Sequence, residues 1–494
     1  MSAPKTDPST KSFQLTGPWA GAWKVFAGLG VLGLVGAGAG YASDPRRFAF
    51  SWLFGFFTVL TMCLGTLFFV LVQRLVSANW SVTVRRTAEV FATGVIVMLP
   101  LFVPVLATMN HLFPWLESHD PAHEQVEGRE KHGSLNLITP AYAQEHGDKA
   151  APSQPNHGAP SHGEGDVTGH LPGSKVGVPS ETGAVHGTDH PQHAVASGHG
   201  KAHGPMGDPH EVAEKEVLKK KAPYLNKTFF LIRVAIYFLV WIGVAFRMFK
   251  LSTEQDKSKD PKLTLSAQAL APVGTFLFAL TLTGAAVDWI MSLDPSWFST
   301  IFGVIIFAGG VVSSYAVMIL VLLGFRNEKN LGEAFTVEHF HDLGKLMFGF
   351  TAFWAYVQFS QFMLIWYAAL PEETTFFHNR WDYAPWATVS NALILFHFIV
   401  PFFWTMSRNF KRNLGRLKVG ALILLVMHCV DIYWFVMPNF HLGKEGFSFS
   451  WIDIACLLAN AGIYGAYVFY RMTQQSIVPV GDPRLARSLE FQNA

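Results

Sequence analysis

The sequence predicts an all-α polytopic membrane protein. Three observations lead there: ten long apolar segments, a composition that is half hydrophobic and only 15% charged, and Lys and Arg gathered in alternate loops. A helix needs about 20 apolar residues to cross the hydrocarbon core of a bilayer. Such segments fall near 23–43, 49–73, 88–112, 226–249, 266–292, 297–325, 345–370, 386–407, 416–437 and 450–470. The net formal charge of +2 offers no strong field for nucleic acid.

Residues 1–22 read as a polar tail with Pro4, Pro8 and Pro18, so the first span itself is expected to direct insertion. That span carries Gly28, Gly30, Gly33, Gly36, Gly38 and Gly40. Gly33, Gly36 and Gly40 offer a small face on which another helix can pack closely. Three spans fill 23–112. The segment 113–222 then holds 13 of the 20 histidines among Gly, Pro and Ser. With few large apolar residues it cannot offset its ordering entropy, so most of it is expected to be disordered. Its His-Gly pairs can bind Zn, Cu or Ni weakly, but no fixed ligand geometry is apparent and a solvated spacer is the plainer reading. Ala141-Tyr142-Ala143 resembles a cleavage site without the preceding apolar run, so no processing is expected there.

Seven spans occupy 223–470, and 471–494 reads as a second tail. An even number of spans puts both termini on one side. Arg74/Arg85/Arg86, Lys250/Lys257/Lys259/Lys262, Arg326/Lys329 and Arg408/Lys411/Arg412 share that side; the opposite loops hold only Arg46/Arg47, Arg380 and Lys444. Both termini are therefore expected in the cytoplasm and 113–222 outside, in the periplasm of a Gram-negative cell. Cys63, Cys429 and Cys456 lie in three different spans with no CxxC spacing, so neither a disulfide nor an iron–sulfur cluster held by this chain alone is expected.

Ionisable and amide groups inside the later spans point to function, because a charge at mid-bilayer costs roughly 2.5–3.5 kcal/mol on insertion scales. The seventh span opens with His341, Asp342 and Lys345, carries Gln358 and Gln361 on one face, and ends at Glu372 and Glu373. His397 lies mid-span in the eighth, and His428 at similar depth in the ninth with Asp431 one turn on. A short turn makes these two spans antiparallel neighbours. Asp288 and Asp294 lie near one end of the fifth span, and Asp453 starts the tenth. Together these residues make a candidate proton ladder: in by His341, Asp342 and Lys345, past Gln358, Gln361 and His397, and out by His428, Asp431 and Glu372 or Asp288. The plainer alternative is that they cap helices and hydrogen-bond across the bundle. Two other readings remain open. His397 and His428 as axial ligands of a b-type haem is weak, since a close antiparallel pair offers little room for a porphyrin. A quinone site would use Trp354, Trp366 and Tyr367 beside Gln358 or Gln361, although such aromatics also serve as core or interfacial anchors.

Several runs resemble one family. They are Val287–Thr300, His341–Phe350, Phe359–Tyr367 with Pro371-Glu372-Glu373, and Met427–Trp434. They are similar to the F subunit of bacterial alternative complex III, a quinol:cytochrome c oxidoreductase, and to the wider NrfD-like, polysulfide-reductase-type membrane subunits. The resemblance is densest over 265–470, weaker over the first three spans, and absent over 113–222. It implies two four-helix bundles plus two further helices, matching the ten spans counted above. It also implies partners: an NrfD-like C subunit paralogue, an iron–sulfur subunit, and multihaem and monohaem cytochrome c subunits that hold the haem c and clusters. This chain would bear no redox centre, and would serve as scaffold with a proton path or a quinone (menaquinone) site in the bacterial inner membrane. The alternatives are a stand-alone proton-coupled transporter, for which no clear inverted repeat is visible, and a pure assembly scaffold.

Overall fold

The computed structural model describes residues 13–119, 216–328, 330–441 and 447–493, apart from the side chains of 117–119 and 372. Residues 1–12 of the expected tail 1–22 and nearly all of the His-rich segment 113–222 lie outside the described residues, as does Lys444. The described chain forms one unit. It is helical throughout, with no strand among the described residues.

Nine helices of the described chain are long and apolar enough to cross a membrane. They are α1 (Ala22–Ser43), α2 (Pro45–Leu75), α3 (Val82–Ala107), α4 (Lys227–Ser258), α5 (Pro261–Leu293), α6 (Phe302–Phe325), α9 (Ala384–Met406), α10 (Leu414–His441) and α11 (Trp451–Thr473). The expected seventh span lies in α7 (Val337–Ala368), whose 32 residues give ample length. It is not among the nine. Its polar first turns, Glu338 to Lys345, and its mid-helix glutamines set it apart in composition. A short helix that the sequence reading placed in a loop, α8 (Pro371–Trp381), follows it.

Helix α2 is the axis of the bundle. Nearly every residue from Arg47 to Arg74 is buried, and it packs against α3, α5, α6, α10 and α11. Its aromatic content explains this: with apolar residues on all sides it has no face suited only to lipid. Helix α1 behaves oppositely. It leaves Val25, Val31, Leu32 and Val35 exposed and meets α11 through glycine. A Cβ on Gly33 would lie 2.2 Å from the Ala459 nitrogen, and one on Gly462 2.3 Å from the Gly30 nitrogen. The backbones touch, as close helix association in a bilayer requires.

Arginines from three places that the sequence assigns to loops are buried in the structure. Arg74, Arg85 and Arg86 are at most 1% exposed. They surround Glu89, with Asp482 bonded to Arg85 (2.6 Å) and Asp256 to Arg86 (2.8 Å). At the other end of α2, Arg47 pairs with Asp453, which also accepts from Ser51 and Tyr433. Arg380, at the end of α8, donates to the carbonyls of Trp434 and Phe435 at the end of α10. That is favourable, since helix C-terminal carbonyls attract cations. A buried guanidinium is tolerated only where its charge and donors are met in this way.

Gly33→Leu is expected to separate α1 from α11 and lower the melting temperature in detergent by several degrees. Gly28→Leu, at a position with no atom within 4 Å of a new Cβ, should leave it unchanged.

Candidate functional site

The mid-depth polar residues of three late helices meet the middle of α2 and α6. Trp354 of α7 stacks on the His397 imidazole of α9, with centroids 3.9 Å apart and 27° between planes. Its indole Nε1 donates to Asp431 Oδ2 of α10 at 3.1 Å. One turn back on α10, His428 Nε2 lies 2.9 Å from Thr61 Oγ1 of α2. The Thr61 hydroxyl also reaches the Phe57 carbonyl at 2.9 Å. With its proton given to that carbonyl, Thr61 accepts from His428 Nε2–H, and Nδ1 is left as the basic nitrogen. Gly309 of α6 is the floor of the cluster: a Cβ there would lie 3.1 Å from Asp431 Oδ2 and 3.4 Å from His428 Nδ1. A side chain at 309 would crowd both groups, so the glycine eases their close approach to the α6 backbone.

His397, His428 and Asp431 are at most 1% exposed. Yet Asp431 Oδ1, His428 Nδ1 and both ring nitrogens of His397 have no hydrogen-bond partner within the protein. Arg74 Nε and Nη1 and Arg85 Nη1 are likewise unpartnered, but the Asp431 cluster differs in having no guanidinium or ammonium among its contacts. Its groups carry spare donor and acceptor capacity, and their natural proton partners are one another and water.

Local sequence explains how His397 is presented. Pro401 has no N–H, so the helix loses a bond near residue 397. Helix α9 responds with a π-helical stretch over Leu393–Ile399. Such wide turns relieve proline strain and recur at functional sites. The wide turn keeps Trp386, Ser390, Leu393, His397, Pro401 and Thr405 all buried.

Beside the cluster lies a cavity of about 430 Å³ between α7, α8 and α9, lined by Trp354, Gln358, Phe362, Trp381, Ser390 and Trp434 among others. This splits the residues expected at a quinone site. Trp354 and Gln358 line the cavity. Gln361 is buried but does not line it, while Trp366 and Tyr367 are 70% and 84% exposed, as suits aromatics near a helix end in a bilayer.

The rest of the expected ladder is dispersed. His341, Asp342 and Lys345 form a separate cluster near the start of α7, where Lys345 Nζ lies 2.5 Å from Asp342 Oδ1. Twelve residues, about 18 Å of helix, separate Asp342 from Trp354. Among the described residues no continuous chain of hydrogen bonds joins them. Burial holds the His341 imidazole below its usual range, assisted by the positive charge of Lys345. Asp288 does not face a path: Arg233 binds it with two nitrogens, at 2.7 and 3.0 Å, and Tyr237 donates at 2.7 Å. A carboxylate so satisfied is a structural ion pair. Asp294 accepts from Ser296 and Trp297 in the turn before α6, and Asp453 is held by Arg47. The side chain of Glu372 lies outside the described residues. Sequence reasoning did not single out Thr61, Gly309, Arg233, Tyr237 or Asn493. For Arg233 and Tyr237 a signal existed: four residues apart on one face of an apolar span, they announce an intramembrane partner. Among the described residues no group of three His, Cys, Asp or Glu is arranged to hold a metal.

No protein-family model matches the chain, and no curated protein matches it.

Trp354→Phe keeps the stack on His397 but removes the N–H bonded to Asp431. Leaving that buried carboxyl without its protein donor should cost about 1–3 kcal/mol in a denaturation assay. At the start of α7, the Arg412 guanidinium binds Glu338 through two nitrogens and holds its carboxyl down to about 2. This contribution to stability is full above the ordinary Glu range and fades as pH falls toward 2. Glu338→Gln should therefore flatten the acid limb of a melting-temperature profile over that window.

Proposed function

We propose that this chain is an integral membrane subunit of a quinol:cytochrome c oxidoreductase of the alternative complex III type, in a respiratory chain of the bacterial inner membrane. It serves as scaffold and carries a proton-exchanging site. The electron path runs through iron–sulfur and cytochrome c partners beside an NrfD-like paralogue. In this reading α7 is a tenth span that turns Tyr356, Phe359 and Leu364 outward, the ten helices form two four-helix bundles plus two, and both termini lie in the cytoplasm with 113–222 in the periplasm.

The observation that carries the reading is the open mid-depth cluster of His397, Trp354, Asp431, His428 and Thr61. Two imidazoles and a carboxyl with unpartnered, buried atoms cost stability. They are the groups a membrane protein retains for moving a proton. His428 and Asp431 also fall within the Met427–Trp434 run, and His341, Asp342 and Lys345 within His341–Phe350, two of the stretches that resemble the F subunit. With Asp288 and Asp453 held in ion pairs, the path narrows to the α7 entry cluster and the central site.

A second reading is favoured by the cavity. Its volume falls within the usual range for small-molecule sites, and its apolar wall with a few polar groups suits a quinone headgroup against Gln358 and the Trp354 edge. The two readings are compatible, since a quinone there would lie against the residue that stacks on His397.

Asp431→Asn and His428→Ala are expected to assemble with normal subunit content but to lose proton movement coupled to quinol oxidation in reconstituted vesicles. Unaltered proton-to-electron ratios in both well-assembled variants would refute the proton-site role. Full proton coupling by the isolated chain, with no redox partner, would favour the stand-alone transporter instead.

A further inference from the structure

The segment after α11 does not hang free. The Ile477 nitrogen donates to the Phe13 carbonyl (2.9 Å), and that of Gly481 to Asp256 (3.0 Å). Gly481 fits where no side chain would: a Cβ there would lie 1.9 Å from the Gln255 carbonyl oxygen. Asp482 inserts between Arg74 and Arg85, and Ser488, in a short helix α12 (Leu485–Leu489), bonds Trp80 and Thr83. These anchors deliver Asn493 to the start of α7. There its amide nitrogen donates to Asp342 Oδ1 at 3.0 Å and to the Glu338 carbonyl at 3.4 Å, and lies 3.4 Å from His341 Nδ1. Its amide oxygen accepts from Lys345 Nζ at 3.3 Å. One side chain thus touches all three residues of the expected proton entry.

We propose that Asn493 is a positioning residue of the proton mouth, held there by the strap 474–493, and that it sets the arrangement in which Asp342, His341 and Lys345 take up protons. The chemistry follows from the amide's two ends. Asn has no proton to exchange in the working range, so it neither donates to nor withdraws from the relay. Its N–H donates a hydrogen bond to the Asp342 carboxylate. Its carbonyl steadies the Lys345 ammonium, which is half exposed. The strap makes this placement firm: the ion pairs of Asp482 and the tight fit of Gly481 fix the register of the residues that follow. The charged and titratable groups around the mouth are Glu338, His339, His341, Asp342 and Lys345 of α7, Lys411 and Arg412 of the short helical segment before α10, and Glu490 of the strap.

This proposal rests on the proton-path reading above, and the test separates the two. The intact complex, with wild-type chain, Asn493→Ala, Asn493→Asp or Asp342→Asn, is reconstituted in vesicles. Proton uptake per electron is then followed from pH 5 to 9 with quinol and cytochrome c. The proposal predicts that Asn493→Ala shifts the midpoint of the uptake profile upward by about half a pH unit or more. Asn493→Asp, which sets a second carboxylate beside Asp342, should shift it further in the same direction. A merely structural role would lower the amount of assembled complex and leave the midpoint in place. If Asp342→Asn abolishes uptake while both Asn493 variants keep the wild-type midpoint, the positioning role is overturned and the path survives. If Asp342→Asn itself retains wild-type uptake, the entry reading falls, and the role of Asn493 with it.

Discussion

The structure depends on one constraint: polar groups at mid-membrane depth must find partners inside the bundle. The bond from Trp354 to Asp431, with the Trp354 stack on His397, meets that constraint for three helices at once. It ties α7, α9 and α10 together where none has a water-facing side. The bond of Thr61 with His428, and the close approach of His428 and Asp431 to Gly309, then hold α10 against α2 and α6. The π-turn of α9 and the all-round apolar character of α2 are local solutions to the same requirement.

The fold treats its buried charges in two ways. Arg233 with Asp288, Arg47 with Asp453, and the Arg74–Arg85–Arg86 group with Glu89 and Asp482 are closed: their carboxylates are bonded by guanidinium groups and hydroxyls. Such pairs lie near the ends of helices and brace them. Removing one partner of a buried pair typically costs 3–5 kcal/mol, which is reason enough to keep it. The cluster around Asp431 is open. No arginine or lysine touches it among the described contacts, and several of its polar atoms have no protein partner. Arg74 and Arg85 also keep unpartnered nitrogens, so what sets the Asp431 cluster apart is that its imidazoles and carboxyl are buried together without a guanidinium.

Much of this was legible in the sequence, and the failures share a cause. Span positions follow from apolar runs, and His397, His428 and Asp431 declare themselves by being ionisable within such runs. The pairing of α1 with α11 through Gly33 was half legible: the small face was visible, the partner was not. The ion pair of Asp288 was not legible, because its partner Arg233 is 55 positions away in sequence and helix periodicity cannot pair residues across that distance. Arg74, Arg85 and Arg86 look like loop charges until Asp482, nearly 400 residues later, folds back onto them. Thr61 and Gly309 carry no signal of their own, being a common hydroxyl and a common glycine in apolar spans. Trp354 was visible as an aromatic near Gln358, but its role as the link between His397 and Asp431 exists only in three dimensions.

The central claim is that this chain works inside a quinol-oxidising assembly and leaves electron transfer to its partners. The most direct measurement is purification of the tagged chain in mild detergent, with identification of the co-eluting subunits and a reduced-minus-oxidised absorption spectrum. The account predicts co-elution with iron–sulfur and c-type cytochrome subunits and a spectrum of c haem only. A stable, colourless chain that elutes alone from membranes in which those partners are present would contradict it.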